Sequence, residues 1–411
     1  MKFTQLSDAP ELRWLKEGTI HATPEGPETE DKEYKRTWCS VELLRFVLDG
    51  NYDAFCECQS VDVRITPESF AKVREFVKSV LKNEEDEKAM AYYLIINDLG
   101  KIGDFVQKIK DELGFESVDH DMILFEGLKA NPELSPSFAA LDEKYRNLIL
   151  AGLKANFNMG QFVQSECFPA NLIPLKDVEK DALDFYLIHV LFDIAGAAGH
   201  VKSNGSLVFN EVYTNRFYWA LESIRAMCDG EMTAARAYDE YLIKTMEYFG
   251  LYVSLISEES MVIAKLLNLI RVTNHDEAKQ VEKAFYDLPT YTRENLAKEL
   301  TATGIDDSAI LLYYLPAMLQ NALGYYKKID AENAISLMLD KMATKISRLY
   351  KMIRAMIDMH KDGVRIAFIA DLAAAAKNPD VTVEVWSFKR VGDDFVVTTG
   401  ETSEASLTFR A

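Results

Sequence analysis

The stretch Tyr92-Tyr93-Leu94-Ile95-Ile96-Asn97-Asp98-Leu99-Gly100-Lys101-Ile102-Gly103 is an apolar run that meets a polar pair and then a lysine set between glycines. It lies inside a segment, 86 to 113, whose pattern is helical, and that segment is one of a series. Comparable segments fall near 67 to 82, 137 to 155, 177 to 201, 210 to 228, 232 to 255, 258 to 272, 275 to 286, 290 to 302, 306 to 327, 330 to 361 and 364 to 376. Gly, Pro and Asn separate many of them, as at Ala130-Asn131-Pro132 and Cys228-Asp229-Gly230. The expectation is a mainly α protein, a large multi-helix array without the fixed period of a solenoid.

The two ends read differently. Residues 1 to about 40 are rich in charge and turn formers, with Thr23-Pro24-Glu25-Gly26-Pro27-Glu28-Thr29-Glu30-Asp31-Lys32 as a solvated loop. Ser60-Val61-Asp62-Val63-Arg64-Ile65 alternates with period two, which predicts a strand, and Thr66 and Pro67 then supply an N-cap and a first helical residue. At the other end, Val381 to Phe388 and Asp394 to Thr399 flank the turn string Val391-Gly392-Asp393-Asp394, the signature of a small C-terminal β-hairpin. Two strands alone are marginal in water, so the strand at 60 to 65 offers itself as the third. The domain reading is therefore an extension over 1–66, a helical domain over 67–376 and a hairpin over 377–411 packed on the body.

Composition narrows the function classes. A formal charge of −19 excludes a general nucleic-acid binder, since phosphate attachment relies on clustered Lys and Arg that release counterions. An acidic surface leaves room for a phosphorylated small molecule, because a bound metal ion reverses the local potential. Five cysteines, without paired CxxC motifs, fit neither a disulfide framework nor a zinc ribbon, so a reducing, cytoplasmic setting is the expectation. The first ten residues carry no apolar signal region, and no run approaches the ~20 residues of a membrane span. Export by an unconventional route would leave no trace by these criteria.

The stretch 92 to 103 resembles the signature helix of the HD-domain superfamily, helical metal-dependent phosphohydrolases, in which an apolar run is followed by His-Asp and commonly Leu-Gly-Lys. Asp98, Leu99, Gly100 and Lys101 match that pattern, and Asn97 stands in the histidine's place. The resemblance implies a divalent metal (Fe, Mn or Zn, one or two ions) with Asp98 as ligand or bridge and Lys101 on a substrate phosphate. An amide oxygen is a weaker metal ligand than imidazole, so the Asn97 departure requires a substitute donor. His120-Asp121, the literal His-Asp pair 23 residues beyond Asn97, offers one, either as a later ligand to an Asn97-Asp98 doublet or as the doublet itself. The first alignment is favoured because Leu99-Gly100-Lys101 accompanies Asp98 and nothing similar follows Asp121.

His189, Asp193 and His200 complete the expected set. At about 100° per residue they share one narrow helical stripe, provided that Gly196 and Gly199 do not end the helix first. Apolar flanks would carry His189 and Asp193 into an interior, where polar groups need partners. Lys202 and Arg216 are the nearby phosphate contacts. A plain His-Asp hydrogen bond within one turn is the structural alternative, and a solvated face is the ordinary reading of the basic helix 341 to 354.

Three functions follow as expectations. The first is a metal-dependent phosphohydrolase-like protein acting on a phosphate ester or nucleotide-type small molecule. A di-iron oxygenase on the same fold is the second, and a non-catalytic interaction or regulatory protein with a degenerate metal site is the third.

Overall fold

The computed structural model describes residues 3–18, 31–115, 117, 119–251, 257–359, 367–371, 386–391, 394–399 and 406–409. Loop residues 23 to 30, His21 and the hairpin turn at 392–393 lie outside the described residues. The chain is mainly α, and it divides into two compact units, residues 1–160 with 174–218 and residues 161–173 with 219–411.

The first unit contains α1 (Pro10–Glu17), α2 (Lys32–Asp49), α3 (Tyr52–Cys56), α4 (Pro67–Val80), α5 (Glu84–Ile96), α6 (Gly103–Leu113), α7 (His120–Ala130), α8 (Pro136–Ala139), α9 (Glu143–Ala155) and α11 (Lys180–Gly196); the short α10 (Met159–Val163) lies between α9 and α11 in sequence. Polar caps start several of these helices, and the one at Thr66 is the cap that the sequence predicts. Thr66 Oγ1 accepts from Ser69 N at 3.2 Å ahead of Pro67, and Asp119 Oδ1 accepts from Asp121 N at 3.0 Å. Helix α11 is apolar around most of its circumference and is the central element of the unit, packed against α2 and α9.

Small residues set how close α2 and α11 come. A Cβ on Gly196 would lie 2.0 Å from Ser40 Oγ and 2.7 Å from Ser40 N, and one on Gly199 would lie 2.5 Å from Cys39 Cβ. The glycines thus allow close packing, and α11 also ends at Gly196.

The second unit contains α13 (Ala234–Tyr248), α14 (Glu258–Leu269), α15 (His275–Asp287), α16 (Thr290–Leu300), β1 (Ala309–Tyr313), α17 (Leu315–Ile329), α18 (Ala334–Met359) and β2 (Ala367–Asp371), followed by β3 (Trp386–Val391), β4 (Asp394–Thr399) and β5 (Ser406–Phe409). Helix α12 (Glu211–Cys228) precedes α13 in sequence. Every residue from Ser260 to Leu269 of α14 is buried, so α14 is this unit's core helix.

Four differences from the sequence reading have physical causes. Residues 61–63 form a 3-10 turn instead of a strand. Their neighbours' backbone groups are met by a side chain: Gln59 Oε1 accepts from Ile65 N at 2.9 Å, and Gln59 Nε2 donates to Ser206 O and Phe209 O. The charged stretch from Lys32 begins α2, which buries Cys39, Val41, Leu43, Leu44 and Val47. Residues 309–313 and 367–371, read as helical, pair as parallel strands in the register Ala309↔Ala367 to Tyr313↔Asp371. Five consecutive apolar or aromatic residues carry no period that separates strand from buried helix, and Pro316 marks where α17 starts. A C-terminal hairpin forms, with its first strand at Trp386–Val391 rather than Val381 to Phe388 and Val391 opposite Asp394, and its third strand is β5, paired with β4.

Candidate functional site

Helix α5 ends at Ile96 and tightens into a 3-10 turn, Asn97–Lys101, which buries Asp98, Leu99 and Gly100. That turn lies against the start of α7: a Cβ on Gly100 would fall 2.0 Å from His120 O, so only glycine admits this approach. Asp98 and Lys101 therefore sit one turn apart on a segment that lies against the first turn of α7, which carries His120 and Asp121.

Around Asp98 the charges form a network with α2. Lys101 Nζ lies 2.7 Å from Asp98 Oδ1 and 3.2 Å from Glu33 Oε2, and Arg36 Nη1 lies 2.8 Å from Glu33 Oε1. Asn97 Nδ2 adds a donor to Asp98 Oδ1 at 3.4 Å. Burial works to raise the Asp98 carboxyl, but Lys101, a hydrogen bond with Glu33 and Arg36 outweigh it and hold it down at about 2. Burial likewise opposes the charges of Lys101 and Arg36, yet the facing carboxylates leave both above their ordinary range. Asp193 acts electrostatically on Asp98 and Arg36, so the carboxylate of α11 belongs to the same field.

His120 and Asp121 pair with each other, Nε2 to Oδ1 at 3.3 Å, at a partly exposed position on the first turn of α7. Burial raises the Asp121 carboxyl above its ordinary range, with Asp119 and Asp98 adding to it and His120 and Lys101 opposing. His189 lies deeper. Its ring stacks on Tyr93 with centroids 3.7 Å apart and planes 16° from parallel, and neither ring nitrogen has a hydrogen-bond partner. Burial pushes the His189 imidazolium down to about 3, so the ring is neutral at physiological pH.

The expected stripe is thus only half assembled. His189 and Asp193 share α11, whereas His200 lies past its end, exposed, because the close-packed glycines terminate the helix. Lys202 is exposed and acts on Cys58, and Arg216 is buried within α12. Among the described residues, no group of three or more His, Cys, Asp or Glu is arranged to hold a metal ion. Glu33 and Arg36 were missed at the sequence level, though their spacing of three on one helix is a recognisable ion-pair signal.

No described helix is long and apolar enough to cross a membrane. No curated protein and no solved structure matches the chain. Residues 28–368, most of its length and the whole of the Asp98 network, match the model of a family of unknown function, DUF6829, and the chain belongs to that family.

Proposed function

We propose that the first unit is an HD-like helical scaffold in which an ion-pair network stands where the metal would be, and that the chain acts as a binding or regulatory protein without hydrolytic chemistry. One observation carries this reading: the Lys101 ammonium, 2.7 Å from Asp98 and 3.2 Å from Glu33, occupies the cation position that the Asp98 carboxylate would offer a metal. Asn97 in place of the doublet histidine and the exposed position of His200 fit the same reading. A divalent ion would have to displace a paired ammonium and recruit ligands from separate helices.

Elemental analysis and thermal shifts with Mn²⁺, Fe²⁺ and Zn²⁺ test the proposal. The expected result is no stoichiometric metal and no metal-dependent rise in Tm. Stoichiometric metal that is lost in Asp98→Ala, together with hydrolysis of a generic phosphodiester, overturns it. That outcome would establish the second reading, a metal-dependent phosphohydrolase acting on a phosphorylated small molecule, with Asp98, His120, Asp121, His189 and Asp193 as ligands and Lys101 on the phosphate. The observation favouring that reading is the His189 ring, buried with two unpartnered nitrogens within a turn of Asp193.

A further inference from the structure

The second unit buries reactive groups of another kind. Lys265 and Asn268 lie three residues apart on α14, and so on one helix face, at 4% and 0% exposure. The Lys265 ammonium stands over the Tyr238 ring at 4.7 Å and makes no ion pair among the described residues; Asp239 and Cys167 act on it from further away. Asn268 Nδ2 donates to Ser165 Oγ at 2.9 Å and to Thr245 Oγ1 at 3.3 Å, while its Oδ1 is buried without a donor. One helix face therefore presents an ammonium that faces an aromatic ring and has no ion pair among the described residues, and an amide oxygen buried without a donor. Buried amide oxygens are ordinarily matched.

We propose that Lys265 is a carbonyl-binding lysine that forms a Schiff base with a small hydroxyaldehyde, whose hydroxyl donates to Asn268 Oδ1. The neutral amine adds to the carbonyl carbon, the carbonyl oxygen takes a proton to give a carbinolamine, and loss of water leaves the C=N bond. Amine and aldehyde thus give imine and water, with no change of oxidation state. Burial draws the Lys265 ammonium down to about 8, which makes a share of the amine nucleophilic near neutral pH. The protonated imine keeps the positive charge that the Tyr238 ring and Asp239 already face. A carbamate from carbon dioxide would reverse that charge and set it against Asp239.

The full chain, treated with limiting glycolaldehyde and sodium cyanoborohydride and then peptide-mapped, tests the proposal. The expected result is a hydroxyethyl group on Lys265 at exposures that leave surface lysines largely unlabelled. Acetaldehyde, which lacks the hydroxyl, should label Lys265 about tenfold less, the worth of one hydrogen bond. In Asn268→Leu the two aldehydes should label Lys265 alike. Labelling confined to surface lysines overturns the site, and equal labelling of Lys265 in the native chain by both aldehydes overturns the hydroxyaldehyde assignment. Because mapping the unmodified chain decides both points, a misfolded variant does not leave the question open.

Discussion

A buried carboxylate at about 2 and a buried imidazole at about 3 make acid sensitivity a property of two named side chains in the first unit. Both are depressed relative to the unfolded chain, so each contributes stability that is present above its unfolded value and lost as pH falls toward its folded one. For His189 that window runs from about 6.5 down to about 3, at roughly 1.4 kcal/mol per pH unit. Asp98 adds a second loss between about 4 and about 2. Urea unfolding of His189→Phe across pH 4 to 7 should flatten the upper window; an unchanged slope would mean that His189 is not the titrating group. Asp98→Asn should cost about 2–4 kcal/mol at pH 7 by leaving Lys101 and Arg36 with Glu33 alone. Asp98→Leu combined with Lys101→Met should cost less than either single change, because no buried charge is then left unpaired, and a denaturant double-mutant cycle measures the difference.

Helix α2 holds the Asp98 network in place only because α11 lets it approach. Gly196→Ala would drive a methyl into Ser40 and Arg36 O, so a loss of about 1–3 kcal/mol is expected in thermal unfolding. Gly324→Ala in α17 is the control, since its Cβ would meet nothing within 4 Å, and it should stabilise by about 0.5–1 kcal/mol. If the two substitutions behaved alike, close packing of α2 on α11 would not be the constraint. At this scale much was legible in the sequence: the Thr66 cap, the apolar α11 and the hairpin all follow from local chemistry. The 61–63 turn and β1 were not legible. One depends on Gln59 reaching Ser206 and Phe209 nearly 150 residues away, the other on a partner strand more than 50 residues downstream. The site follows the same rule, because Asp98 and Lys101 are neighbours in one motif, whereas Glu33, Arg36, His120 and Asp121 are brought to it by packing of other helices.

Across the whole chain the net charge of −19 bears on what it can bind, and the fate of its most basic helix bears on the same point. Residues 341 to 354 on α18 concentrate lysine and arginine, yet several of these charges are already engaged. Arg354 makes a forked ion pair with Glu299, at 3.1 and 2.8 Å, and also donates to Ser308 O. Lys351 lies 3.7 Å over the Tyr291 ring, and Lys341 pairs with Asp340 at 3.1 Å. A cation already held by a carboxylate releases no net counterion on meeting a phosphate, so the helix adds little to polyanion affinity. The chain should therefore pass unretained through heparin and duplex-DNA columns at about 50 mM salt, where counterion release would be strongest. Retention that disappears in Lys345→Glu with Arg348→Glu would show instead that the solvent side of α18 is a polyanion surface, and that the overall acidity conceals a local binding face.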